Sequence, residues 1–312
     1  MSARLGIAVA LVLAIVGGGY LLYGVLFDDA PAPAAAAPPD AAPSAAVPPD
    51  AVAATNQRVV VSSVEAVVER QVPGGDWEPI AAGAVLSPDD VLRTGSDGAV
   101  TVAVGQTVVR MDPNTQIAVP AITSTVSRVR LGQGRIAATV PESAGTTFGV
   151  DVEGSDAVAE TEAGDFAVLS DGAGEAVVAA ERGVVRVTAK QKTVEVAAGQ
   201  QSVVRRDTAP TAPTAVPPSL FLKISSPGAK QRAKSYAVKG KTTPGAIISV
   251  NGVRVEVDET GEFSQVVALK EGRNKVTVAS QDVTGRQKES EVRVVVDSTG
   301  PNVGGDVQWG NP

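Results

Sequence analysis

The 312-residue chain has no cysteine and no histidine, and aromatic residues make up only 3% of it. Without cysteine there is no disulfide framework, thiol nucleophile, iron–sulfur cluster or thioether-linked haem. Without histidine there is no Ser-His-Asp triad, no imidazole base and no ordinary zinc site. Scarce aromatics leave little for stacking on sugars or on single-stranded nucleic acid. Lys+Arg 27 against Asp+Glu 34 give a formal net charge of −7, which provides no electrostatic footprint for nucleic acid. The expectation is no cofactor, no metal, no nucleic-acid partner and no enzyme. A carboxylate pair or Ser-Lys dyad would need no histidine, but no spaced motif selects one.

What is present begins with one long apolar run. Leu5 to Phe27 carries no charge, and roughly 20 such residues span the hydrocarbon core of a bilayer. Arg4 precedes the run and Asp28-Asp29 follow it, so the positive-inside rule places Met1–Arg4 in the cytoplasm and the rest outside. Tyr20, Tyr23 and Phe27 fall toward the outer interface, and Gly17-Gly18-Gly19 would allow close helix approach. The run exceeds the roughly 7–15 residues of a cleaved signal sequence, and no cysteine follows for a lipid anchor. Residues 28–56 are rich in Pro and Ala, as in Ala30–Ala54, and predict an extended polyproline II spacer. These features predict a single-pass inner-membrane protein whose bulk is periplasmic or otherwise extracytoplasmic.

Beyond the spacer the pattern becomes short, Val-rich and alternating. AVTVAVG (Ala99–Gly105), TVSRVRL (Thr125–Leu131), Val177–Ala180, Val184–Ala189 and Thr193–Ala198 read as strands, and no stretch carries a capped helical period. The prediction is an all-β domain over 57–207, a Pro-rich hinge at 208–218, a second β domain over 219–297 and a disordered tail at 298–312 holding Trp309. In the second domain, six or seven strands at about 8–12-residue spacing predict an immunoglobulin-like sandwich. Its strongest local signal is Ile248-Ser249-Val250, then Asn251-Gly252, then Val253-Arg254-Val255, a type I′ hairpin.

The residues also carry two family resemblances. Trp77-Glu78-Pro79-Ile80, VLRTGSDGAVTVAVG (Val91–Gly105), RMDPNTQIAV (Arg110–Val119) and RVRLGQGRIAATV (Arg128–Val140) occur in register with AVAETEAGDFAVLSDG (Ala157–Gly172) and later Gly-rich hairpins. This order resembles the FecR domain, which implies an extracytoplasmic β domain of the kind found in iron-uptake sensors that signal to a sigma factor. Those sensors carry a cytoplasmic sigma-binding segment, which Met1 to Arg4 does not supply, and a receptor-docking module where another domain follows here. Sigma regulation is therefore not expected. From about Leu220 to Asp297 the chain resembles the bacterial Ig-like module related to the glucodextranase B domain, which implies an accessory role and raises carbohydrate contact.

Several local features admit sharper readings. Gly132-x-Gly134-x-x-Ala137 imitates a dinucleotide fingerprint, but no helix follows, so a β-hairpin turn is expected. Arg93-Thr94-Gly95-Ser96-Asp97-Gly98 reads as a Gly-supported turn, with Asp97-Gly98 as a hairpin signal. Asp151, Glu153, Asp156, Glu160, Glu162 and Asp165 read as the solvated face of two strands rather than a calcium site. Trp77 is expected to anchor the core, and Phe221, Tyr236 and Phe263 to fill the sandwich core. Asp282, Asp297 and the Asp258-Glu259-Thr260-Gly261 turn resemble calcium-bearing sandwiches without a diagnostic spacing.

Charge divides unevenly. Residues 57–207 hold 13 basic and 20 acidic residues (−7), whereas 219–297 hold 13 and 9 (+4). Lys223, Lys230, Arg232, Lys234, Lys239 and Lys241 read chiefly as solvated strand edges. The resulting expectation is a non-enzymatic, membrane-anchored envelope protein that contacts other envelope proteins as a binding or sensing module. The alternative is a structural adaptor that holds cell-wall or surface polysaccharide through the basic second domain. The binding residues are not legible at this level.

Overall fold

The computed structural model describes residues 58–120, 126–225 and 232–298. The expected cytoplasmic stub, membrane anchor and spacer, and the tail beyond Ser298 with Trp309, lie outside these residues. Among the described residues no helix is long and apolar enough to cross a membrane. They fold almost wholly as strands, with a single short 3-10 turn at Glu142–Ala144. The all-β expectation holds for both domains, which belong to one compact unit.

The first domain comprises β1 (Val59–Glu65), β2 (Val68–Gln71), β3 (Trp77–Pro79), β4 (Val85–Leu86), β5 (Val91–Thr94), β6 (Ala99–Val104), β7 (Thr107–Met111), β8 (Gln116–Ala118), β9 (Val126–Val140), β10 (Thr147–Val152), β11 (Val158–Thr161), β12 (Gly164–Ser170), β13 (Ala176–Ala189), β14 (Lys192–Ala197), β15 (Gln200–Val204) and β16 (Thr214–Ala215). Alternation of Val with polar residues gives each strand one apolar face, and two layers close on those faces. Phe148 of β10 and Phe166 of β12 come from opposite layers, with ring centroids 6.2 Å apart. Around them lie Leu92, Met111, Ile117, Leu131 and Ile136, all fully buried.

Two long strands stitch the layers together. The first half of β9 pairs with β8 and, in parallel, with β10; its second half pairs with β7 and β12 in the other layer. The crossing falls at Gly132–Gly134, so the expected hairpin turn is corrected to a bend inside one continuous strand. Gly134 takes φ +87, and a Cβ there would lie 2.6 Å from Thr115 Cα. Only glycine fits such a bend. Strand β13 repeats the device: Ala176–Ala180 pairs with β12, and Val184–Ala189 pairs with β14. The two runs read separately from the sequence are thus one strand. Arg93–Gly98 does form a turn, but its flanking strands β5 and β6 do not pair with each other. It is a corner between layers, not a hairpin tip.

The second domain comprises β17 (Leu222–Ile224), β18 (Ser235–Thr242), β19 (Ile247–Val250), β20 (Val253–Val255), β21 (Glu262–Ala268), β22 (Gly272–Gln281) and β23 (Gln287–Val296). Sheets of order β17-β18-β21 and β20-β19-β22-β23 enclose Val238, Ile248, Val278 and Val294, the expected sandwich. Asn251 and Gly252 sit at φ 50 and 80, as a type I′ hairpin requires. Tyr236 and Phe263 are in the core, but Phe221 is 41% exposed. Phe221 precedes β17, and its backbone rather than its ring is held, by Thr242 and Thr243. The stretch at 208–218 is hydrogen-bonded rather than free: β16 pairs with β15, and Thr211 N and Val216 N donate to Val203 O and Gly199 O.

Candidate interaction site at the domain seam

The residues that carry the FecR resemblance meet at one corner. Thr94 Oγ1 donates to Asp112 O at 2.7 Å and accepts from Thr115 N at 2.9 Å. Asn114 N donates to Gly95 O, and Thr115 Oγ1 links to Arg135 N and O. Thr94 and Thr115 are buried, so these bonds replace water at the points where strands change layer. The corner fixes Asp112 against the start of the second half of β9. There Arg135 Nη1 donates to Asp112 Oδ2 at 2.6 Å, and the guanidinium aims out of the first domain. Its Nε donates to Val283 O of the second domain at 2.6 Å. Arg135 is 6% exposed, so this link lies inside a seam rather than on a surface.

The seam has an apolar centre and a charged rim. Ala167 and Leu169 of β12 and Val177 and Ala179 of β13 pack against Ile247 and Val283 of the second domain. The loop that presses Val283 inward is organised by Asp282, itself 5% exposed. Asp282 Oδ1 accepts from Thr284 N, Thr284 Oγ1 and Arg286 N, while Oδ2 accepts from Arg286 Nε at 2.7 Å. Arg286 also donates to Pro217 O and Pro218 O, tying the inter-domain segment to this loop. The loop DVTGR (Asp282–Arg286) has counterparts in DETGE (Asp258–Glu262) and DGAGE (Asp171–Glu175). In all three, the Asp Oδ1 accepts from the backbone N–H groups two and four residues on. Asp258 and Asp282, two of the residues that resembled calcium ligands in the sequence, are therefore spent on holding turns.

On the rim, Arg205 reaches Glu175 Oε1 at 3.9 Å and Glu259 Oε1 of the second domain at 3.2 Å. Burial pushes the Glu175 carboxyl up to about 7; Arg205 pulls it down, while Asp171 and Glu256 add to the rise. Burial also lowers Arg254, against a smaller opposing pull from Asp171.

The other sequence candidates lie elsewhere. Trp77 is half-buried outside the core, with the Arg93 guanidinium 3.9 Å over its ring, so the core-anchor expectation is corrected. Strand β3 is a three-residue edge paired only with β2, which leaves its side chains partly in solvent. The acidic cluster is dispersed onto arginines of neighbouring strands. Arg128 bridges Asp151 and Glu160, Arg182 meets Asp165, and Arg186 meets Glu162. Lys223, Lys239 and Lys241 line one groove of the second domain, but Glu256, Asp258 and Glu262 line it too. Arg135, which makes the seam's central link, carried no sequence signal; it reads as one more charged residue in an alternating strand.

Residues 90–186 match the family model of FecR protein, and residues 218–298 match that of glucodextranase, domain B. The chain thus joins a FecR domain to an Ig-like module, as both resemblances implied. No curated protein matches the chain significantly. Among solved structures, a candidate anti-sigma factor from Parabacteroides distasonis is similar at 17% identity and TM-score 0.34, covering 40% of this chain and 59% of its own. A second crystal structure from that source gives 19% identity and the same score. A polysaccharide lyase is similar at 10% identity and TM-score 0.20, over 77% of this chain and 40% of its own. Scores this low establish neither a shared fold nor a shared activity, and the chain spans under two thirds of either relative.

Proposed function

We propose that the protein is a non-enzymatic, membrane-anchored envelope component whose FecR and Ig-like domains together form one binding or sensing module for other envelope proteins. The observation that carries this reading is the FecR match over residues 90–186, seated behind an apolar run and a Pro/Ala spacer. The seam supports it further, because a joint built from Arg135, Ile247, Val283 and Arg286 makes the two domains present a single surface. Exposed apolar side chains such as Val266, 64% exposed on β21, offer a partner contact area beside a strand edge that is bonded only at its start, to Val257 and Asp258, among the described residues.

The test is in-cell photocrosslinking from Ser96 and Val266, both exposed. Thr284 is unsuitable, because its side chain is held by Asp282 within the seam loop. A discrete envelope-protein adduct from either position supports the reading; no adduct from either overturns it. The adaptor alternative rests on the lysine groove, where three acids balance three lysines and Lys241 pairs with Glu262 at 3.6 Å. A groove so balanced exerts no net pull on a polyanion. Salt-sensitive pelleting of the full chain with wall material, lost on Lys239→Gln, would revive that alternative.

A further inference from the structure

Beside the apolar centre of the seam lies a cleft of about 410 Å³. That volume is within the roughly 300–1,000 Å³ of small-molecule sites, which favour junctions between domains. Its floor is the outer face of the sheet β20-β19-β22-β23, opposite the face that carries the core residues Ile248, Val278 and Val294. Its wall is the first domain's corner, through Asn114 and Gln133.

Ser280 of this cleft bonds to Thr242, but several of the longer polar side chains have no partner among the described residues. The amide of Gln281 makes no hydrogen bond among the described residues, although its Nε2 is shut off from solvent. Arg254 is half-buried and within ion-pair distance of no carboxylate among the described residues; the charge of Asp171 reaches it only from farther away. The side chains of Asn114, Gln133 and Lys288 are likewise unbonded among the described residues. Buried donors are ordinarily satisfied, and an arginine this enclosed ordinarily has an anion beside it. One buried donor without a partner, Gln281 Nε2, beside an arginine with no ion pair among the described residues is what a site built for an acceptor-rich ligand presents.

The lining narrows the ligand class. Arg254 and Lys288 against Glu289 leave one positive charge in excess, which selects an anion. The amides of Asn114, Gln133 and Gln281 each offer a donor and an acceptor side by side, matching neighbouring hydroxyls on a ring. A peptide adding a strand would lie along the outer edge of β20 or β23, whereas the floor between them, β19 and β22, presents side chains only. We propose that the seam cleft binds a saccharide bearing a carboxylate, with Arg254 taking the carboxylate and Gln281, Gln133 and Asn114 taking the hydroxyls. This site is distinct from the lysine groove, and it stands or falls independently of which envelope protein the module contacts.

The test is calorimetric titration of the full-length chain in detergent with trigalacturonic acid and, separately, maltotriose. The expected result is saturable binding of the acid, with the neutral sugar about tenfold weaker, since a charge-assisted hydrogen bond is lost. Arg254→Gln should weaken the acid by about tenfold, and Gln281→Leu by a smaller factor, while Lys239→Gln in the groove leaves it unchanged. Thermal unfolding separates loss of site from loss of fold: Arg254→Gln removes an unpaired enclosed charge and should melt at or above the parent temperature. Failure of the acid to bind at millimolar concentration, equal binding of the two sugars, or an Arg254→Gln variant that binds as the parent does would each overturn the proposal.

Discussion

The first β domain closes its core on itself, with Phe148 and Phe166 meeting between layers that β9 and β13 sew together. The second domain also encloses a core of its own, around Val238, Ile248, Val278 and Val294, but a smaller one. Outside both cores, Ile247 and Val283 of the second domain meet Ala167, Leu169, Val177 and Ala179 of the first. Both domains give apolar side chains to the seam, and the smaller core gains proportionally more from it. The asymmetry explains why the inter-domain segment is bonded along its length despite a composition that reads as a flexible tether.

Phe166→Ala has the largest expected effect, about 3–5 kcal/mol, and should lower the whole unit because the seam residues Ala167 and Leu169 lie on the same strand. With Trp309, Tyr20 and Tyr23 replaced by Phe, denaturant unfolding followed by Trp77 and Tyr236 should then shift together; a shift confined to Trp77 would show the second domain to be self-sufficient. Arg135→Met acts on the seam and on the first-domain corner beneath it. It removes the bond to Val283 O and leaves Asp112 with only Arg110, 3.9 Å away, a loss of about 2 kcal/mol. It should split a single calorimetric transition into two, the second domain melting first. Asn251→Ala, by contrast, touches only the second domain. It strains a φ of +50 and removes the bond to Thr277 N, costing about 1 kcal/mol, and should leave first-domain unfolding unchanged.

The smallest effect is a dependence on pH. Glu175 holds its proton in the folded state up to about 7, against 4.5 for the free group. Between those values the folded state binds a proton that the unfolded chain has released, so stability falls as pH rises through 4.5 to 7 and levels off above. Because Glu175 is partly solvated, the change is at most about 1 kcal/mol, and Glu175→Gln should abolish it in urea midpoints taken across that window. The second domain runs the other way. Hydrogen bonds from Glu262 N and Thr260 lower Asp258, so its contribution is present near neutrality and lost as pH falls through the acid range.

The sequence made the β class, both domain types and the Asn251-Gly252 hairpin legible, because alternation and turn chemistry act over neighbouring residues. It misled at Gly132–Gly134 and between Ala180 and Val184, since a glycine that bends a continuous strand and a glycine that ends one look alike until pairing partners are known. Trp77 was misassigned for a related reason: a lone tryptophan reads as core, but a three-residue edge strand cannot bury it. The seam was illegible altogether. Arg135, Gln281 and Arg254 sit in ordinary alternating strands, and their meaning comes only from what folding places opposite them.

Joined at the seam, the two domains should move as one body. The chain has no cysteine of its own, so Glu142→Cys and Arg273→Cys, at exposed positions in the first and second domains, accept one spin label each. Pulsed dipolar spectroscopy on the full-length chain should return one narrow distance distribution, which broadens on Arg135→Met. A broad or multiple distribution in the parent chain would contradict the claim.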